Sequence, residues 1–291
     1  MNELLAVLQL PFVQRAAVAL VIVAAATAVV GLAMSLRGLE FLGDGLVHAV
    51  FPGVVLGYVL GGQSGIVPGA VVAALAATLA LGFIMHRVPG GGSDTATAVV
   101  LAGAFGLGIV LVSRLDDYTT GLEQVLFGQL LTVSWGDIAA IGVLGAVAVL
   151  LVAGSWKEQL FVAFDRRGAA AAGLPVRAVD VALNIAIALV VVAAARAVGT
   201  LLVLAILITP VATARIAASR IGTVLLTALL VSLGTSAAGL FASSALALQT
   251  RVAVPPSSFV VLLLVCVYLS VATAASLVRA RRRRRLARAA A

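Results

Sequence analysis

Apolar runs of close to twenty residues follow one another along almost the whole chain, near 13–35, 41–60, 65–85, 95–113, 136–154, 178–197, 199–218, 221–246 and 256–278. A helix needs about 20 mainly apolar residues to cross the roughly 30 Å hydrocarbon layer of a bilayer. Runs of this number and length predict an all-α polytopic membrane protein with about eight to nine transmembrane helices. Composition agrees, since 63% of the 291 residues are hydrophobic and 10% charged, where a soluble domain carries about 25% charged residues. The 29 glycines suit membrane helices that approach one another closely. The stretch 120–135 is apolar but short, which predicts a re-entrant or interfacial segment.

Charge supplies the orientation. With nine spans, alternation places fifteen of the nineteen Lys and Arg on one side, among them Arg37, Arg87, Lys157, Arg166, Arg167, Arg177, Arg215, Arg220 and Arg279. Only Arg15, Arg114, Arg196 and Arg251 fall on the other, with the acidic loop Asp116, Asp117 and Glu123. Cytoplasmic loops collect Lys and Arg, so the basic side and the C-terminus are expected inside. The run from Arg281 to Arg285, with Arg288, follows the last span. It reads as an anchor against anionic lipid, not as a nucleic-acid site, despite a net charge of +8. Residues 1–14 carry Glu3 and no basic cluster, so the first run is expected to be a retained helix and not a cleaved leader. The longest polar interruption, 155–177, is charged at its ends and alanine-rich in the middle. It is either a docking surface for a soluble partner or an ordinary solvated loop.

The ionisable residues inside spans are the candidates for function, because lipid makes them costly. In GDGLVHAVFPG, residues 43–53, Asp44 and His48 stand four apart and therefore share one helix face. A carboxylate and a neutral imidazole suit zinc, manganese or ferrous iron. Pro52 is expected to break the helix just beyond them, and Gly43, Gly45 and Gly53 permit close backbone approach. The competing structural reading pairs Asp44 with Arg37 and lets His48 donate to a backbone carbonyl. Weaker candidates have structural explanations: His86 beside Arg87 and Arg196 snorkel, Asp180 and Asn184 cap or pair locally, Pro210 kinks a helix, and Asp94 with Thr95 and Thr97 marks a helix start.

Several chemistries are excluded. The single lysine, Lys157, and the lack of GxxxxGK(S/T) remove ATP binding through a P-loop. The one cysteine, Cys266, permits neither an internal disulfide nor a thiolate cage. HExxH and GxSxG are missing and Asp44 has no evident aspartate partner, so an enzyme is not expected and no cofactor is required of this chain.

Five stretches carry a resemblance: LRGLEFLGDGLVHAVFPGVVLGYVLG (36–61), DTATAVVLAGAFGLGIVLVS (94–113), LFGQLLTVSWGDI (126–138), FVAFDRRGAAAAGLPV (161–176) and RAVGTLLVLAILITPVATAR (196–215). Together they resemble the ABC-3 permease subunits of bacterial zinc, manganese and iron ABC importers. The resemblance implies one membrane-spanning permease domain over 1–291, of the type II architecture shared with vitamin B12 importers. Spans over about 13–278 would be followed by a basic cytoplasmic tail, 279–291. It implies a permease homodimer or pseudo-dimer in the bacterial plasma membrane, ABC ATPase subunits that bind ATP beneath it, and an extracytoplasmic metal-binding protein. It assigns Asp44 and His48 to the translocation helix and 161–176 to the cytoplasmic coupling segment, with Phe164, Asp165, Arg166, Arg167, Gly168, Ala170, Ala171 and Gly173 facing the ATPase. Two positions depart from the pattern: Val47 stands where a serine is usual, and Arg166 where a proline is usual. The cargo expected is a divalent transition metal, zinc or manganese. The rivals are an ATPase-independent secondary transporter or channel and a scaffold that transports nothing.

Overall fold

The structure is a computed structural model that describes residues 10–87, 93–113, 128, 130–250 and 255–289. Glu3, Arg114, Asp116, Asp117, Glu123, Arg251 and most of 120–129 lie outside the described residues, as do the side chains of His86, Arg87, Arg196, Arg282 to Arg285 and Arg288.

The described chain is helical throughout. In order, α1 is Pro11–Leu36, α2 Glu40–Ala49, α3 Phe51–Arg87, α4 Ser93–Val112, α5 Trp135–Gly154, α6 Trp156–Phe164, α7 Arg166–Ala171, α8 Val176–Ala217, α9 Ile221–Thr250 and α10 Pro256–Ala289. Among the described residues, eight stretches are long and apolar enough to cross a bilayer, and one of them, Glu40–Ile84, holds 45 residues. A straight helix of that length would measure about 67 Å, twice the hydrocarbon thickness. It folds back instead at Gly62, whose φ of 59° and ψ of −144° lie in a region open to glycine. The two arms meet backbone to backbone: a Cβ on Gly57 would lie 2.2 Å from the Gly65 carbonyl oxygen, and one on Gly69 2.3 Å from that of Gly53. Small residues spaced by four make such an approach possible. Counting this hairpin as two crossings gives the nine spans read from the sequence.

α8 reverses in the same way at Gly199, with φ 79° and ψ 158°. A straight helix would hold Asp180 and Arg215 about 50 Å apart. Both instead bond to the end of α1, Asp180 to Arg37 and Arg215 to Ser35. Pro210, where a kink was expected, sits inside the second arm with helical dihedrals, and the reversal itself is made at Gly199.

α1 and the first arm of α8 form the centre, each with 67% of its spanning window buried, whereas α10 has 11% and lies at the edge. α8 packs against α1, α5, α9 and α10. The core is small and branched: Ala16, Ala19, Val23 and Val30 of α1 meet Leu183, Ile187, Val191, Leu202 and Ile206 of α8. From the short 120–135 stretch, residues Leu130–Thr132 form one 3-10 turn against α1, with Leu130 buried. A capping box between Ser134 and Asp137 then starts α5. The alternation of helices sets Arg37, Lys157, Arg166, Arg167, Arg177, Arg215, Arg220 and Arg279 at one end of the bundle and Arg15 at the other.

Candidate functional site

The α2 helix begins with Glu40 in its first turn, where a negative charge complements the helix dipole. One face of α2 is packed away, with Leu42, Gly43, Gly45, Leu46 and Val47 buried. Gly45 sits against α4, where a Cβ would fall 2.4 Å from the Thr97 side chain. The opposite face carries Asp44 and His48. His48 Nε2 and Asp44 Oδ1 are 3.6 Å apart, and the two side chains are 31% and 36% exposed. That distance exceeds a hydrogen bond, and among the described residues neither side chain makes one. The His48 ring stands edge-on to Phe105 of α4, centroids 5.3 Å apart, and Phe105 tilts against Phe51. The spacing thus places both groups on one face, as expected, and adds an aromatic wall that the sequence did not announce.

Beyond the pair α2 gives way to α3 at Val50, two residues before Pro52, without leaving helical dihedrals (φ −73°, ψ −24°). Pro52 has no N–H to give the carbonyl four residues back, that of His48, and its ring crowds it, which interrupts the hydrogen-bond ladder there. Pro52 then occupies the first turn of α3, where its missing N–H costs nothing. An open apolar groove of about 720 Å³ starts beside the pair at Ala49 and follows Pro52, Leu56, Val100, Ala104 and Leu107. Val47 is 2% exposed, so the position where a serine is usual faces the core of this chain.

Two donors about 2.0–2.2 Å from one ion stand no more than about 4 Å apart, and the 3.6 Å separation falls within that limit. No group of three or more His, Cys, Asp or Glu occurs among the described residues. A divalent ion held here would complete its shell with water or with groups from another chain.

The competing reading for Asp44 fails on its partner. Arg37, buried with 7% of its side chain exposed, bonds to Asp180. Its Nη1 also donates to Gln159 Oε1 at 2.8 Å, and Gln159 Nε2 donates to the Val179 carbonyl at 3.1 Å. Arg166 forks onto the same aspartate, Nη1 to Oδ1 at 3.1 Å and Nη2 to Oδ2 at 2.5 Å. The hydrogen bond to Asp180 raises the Arg166 pKa above its ordinary value, with partial burial opposing it. The local role expected of Asp180 is thereby corrected, since it bonds to Arg37 at the end of α1 and to Arg166 of α7. Its position as a lone carboxylate at the start of a span was the only signal in the sequence.

The segment 161–176 that the resemblance assigns to coupling holds the end of α6 and the whole of α7. α6 ends at Phe164 and α7 begins at Arg166. Asp165 divides them and caps α7 by accepting from the Gly168 N–H at 2.8 Å, satisfying a donor the short helix leaves free. Gly173, with φ 81°, ends the turn after α7. Ala169 is buried against Val162, Leu174, Val176 and Val179. Phe164, Asp165, Arg166, Arg167, Ala170, Ala171 and Gly173 are exposed; Phe164 is 76% exposed. Arg166, where a proline is usual, carries the fork to Asp180.

Comparison with known proteins agrees with this architecture. Residues 9–275 match the family described as ABC 3 transport family. The manganese transport system membrane protein MntC of Halalkalibacterium halodurans is 34% identical, over 80% of this chain and 78% of its own. The manganese import system permease protein ScaB of Streptococcus gordonii is also 34% identical, over 79% and 81%. The chelated iron transport system membrane protein YfeD of Yersinia pestis is 33% identical, over 69% and 66%. Among solved structures, a chain of PsaBC from Streptococcus pneumoniae, in complex with Fab, superposes with a TM-score of 0.79 at 31% identity, covering 93% of this chain and 94% of that one. A chain described as a metal-chelate type ABC transporter in an inward-facing conformation shares the fold, with a TM-score of 0.70 at 16% identity over 89% and 85%. With nearly the whole chain matched and the helical bundle superposing, the protein belongs to the ABC 3 transport family, as a multi-pass membrane subunit of an ABC transporter.

Proposed function

We propose that the chain carries manganese or iron across the bacterial plasma membrane into the cytoplasm, through a path to which Asp44 and His48 contribute donors. The observation that carries this reading is the unsaturated pair itself, 3.6 Å apart and about one third exposed. Asp44 lies one turn into the span that begins at Glu40, where an ionised side chain in an apolar helix calls for water, a cation or a partner, and among the described residues the imidazole is its one ionisable neighbour. The relatives reported above are named for manganese and iron. Zinc, the other ion expected from the resemblance, has no support among them. Carboxylate and imidazole donors suit all three ions.

The face that carries the pair is left open by this chain's own helices. A second copy, set against that face, supplies further donors and excludes lipid. The exposed residues of α6 and α7 take the ATPase subunit from the basic, cytoplasmic end, where the C-terminal arginines also lie. An extracytoplasmic metal-binding protein delivers the ion at the opposite end. The whole of 1–291 acts as a single membrane domain in this scheme.

Reconstituting the complex in liposomes and measuring uptake of manganese, ferrous iron and zinc in competition tests the reading. Manganese or iron should be accumulated only when ATP is supplied, and Asp44→Ala should remove that accumulation. Accumulation without ATP would favour a secondary transporter, and preference for zinc would overturn the choice of cargo.

A further inference from the structure

The α7 helix is too short to hold its own place. It has six residues, where an isolated helix needs about 12–15, and only Ala169 of it is buried. Among the described residues its one charged link to the bundle is Arg166, which forks onto Asp180 of α8. The same carboxylate also holds Arg37. Arg37 lies just past the end of α1, three residues before α2 begins. The intervening turn is closed by backbone bonds from the N–H groups of Arg37 and Leu39 to the Met34 carbonyl, and Leu39 in turn accepts from Gly43. A displacement of Arg37 is therefore passed to α2 and not absorbed by slack chain.

The two grips of Asp180 differ in kind. Arg37 is 7% exposed and braced by Gln159, so its charge is fixed in place and depends on the carboxylate. Arg166 is 57% exposed, so water can replace Asp180 there at little cost. One carboxylate thus joins a fixed guanidinium at the root of α2 to a releasable one on α7.

We propose that Asp180 is a positioning residue that transmits movement of the α6–α7 segment to α2, the helix carrying Asp44 and His48. The proposal rests on the reading of α6 and α7 as the ATPase-docking surface. When the docked segment moves, the Arg166 fork draws on Asp180, and Asp180 draws on Arg37 and the start of α2. Asp180 touches no cargo, and its contribution is to the ratio of ions moved to ATP consumed.

The test uses the whole transporter in liposomes, with manganese uptake and ATP hydrolysis measured on the same preparation and subunit stoichiometry fixed by purification. Asp180→Asn keeps an acceptor but removes the charge, and Arg166→Gln removes only the exposed grip. Each should lower uptake per ATP by about tenfold, a typical coupling between sites, with both subunits still co-purifying. Asp180→Glu should restore much of the ratio. The double variant should be no worse than either single one, because both cut one link. If Asp180→Asn does not assemble, Arg166→Gln alone decides. Ala170→Glu with Ala171→Glu reads the docking surface separately. If that variant leaves uptake and hydrolysis unchanged, the docking reading falls and the relay with it. If it uncouples while Arg166→Gln keeps the wild-type ratio, the relay alone is overturned.

Discussion

Residues 37 to 48 contain two ionisable centres that the fold treats in opposite ways. Arg37 is buried, and its guanidinium is met by Asp180 and Gln159, which are themselves bonded onward to Arg166 and the Val179 carbonyl. Asp44 and His48, one and two turns into the next helix, are partly exposed and just beyond hydrogen-bonding distance of each other. The first centre is saturated by its own chain, and the second is left with donors to spare. Burying a charge is tolerable only when its hydrogen-bonding capacity is filled, so a saturated centre is a joint. An unsaturated pair in an apolar span calls for something else to fill it, which is why we propose it as the site. The contrast separates structural from functional charge more surely than burial alone.

The largest effect should come from the open pair. Losing even an indirect supporter of a metal ligand costs about 10–100-fold, so Asp44→Ala and His48→Ala should each reduce manganese uptake by at least the upper end of that range. Their thermal stability should stay near wild type, because neither side chain has a hydrogen bond to lose. Wild-type uptake by the double alanine variant would show that the open pair is no site.

The closed centre should behave in reverse. Asp180→Ala strands the buried Arg37 charge, which costs about 3–5 kcal/mol, and should appear as a clear drop in melting temperature of the purified chain. An unchanged melting curve would mean that the network is not saturated in the way the geometry indicates. Arg215 sharpens the same point at lower cost. It donates to both the carbonyl and the hydroxyl of Ser35 at 2.8 and 2.7 Å, clamping the end of α1 as cations do at helix C-termini. Because Arg215 is exposed, Arg215→Gln should cost only about 0.3–1 kcal/mol. A loss as large as that of Asp180→Ala would make Arg215 the principal tie instead. Truncation after Leu277 should have the smallest effect, leaving uptake by correctly inserted protein essentially intact; its loss would give the arginines a role beyond anchoring.

The spans were legible because hydropathy depends only on neighbours in the chain. The Asp44–His48 face was legible for the same reason, since a spacing of four fixes direction on a helix. The link from Arg37 to Asp180 was not legible: 143 residues separate them, and nothing local distinguishes a long-range partner from a capping one. Phe105 was missed because an aromatic in an apolar run carries no signal of which helix it will meet. The split at Asp165 could have been found. An aspartate three residues before Gly168, which has no side chain to obstruct the turn, is the pattern of a cap.

The glycine contact within α3 limits how the chain beyond the Asp44–His48 pair can move. Where Gly53 and Gly57 touch Gly69 and Gly65 through backbone atoms alone, there are no rotamers between the arms to yield. The arms cannot slide or separate without opening a void along their whole seam. Mechanically they are one rigid lever, and its freedom is confined to the ends. One is the junction with α2 at Val50, two residues past His48, and the other is the end of the second arm at Arg87. A stroke delivered to this lever would reach the Asp44–His48 pair through Val50. The donors would then shift relative to the rest of the path while keeping their own separation.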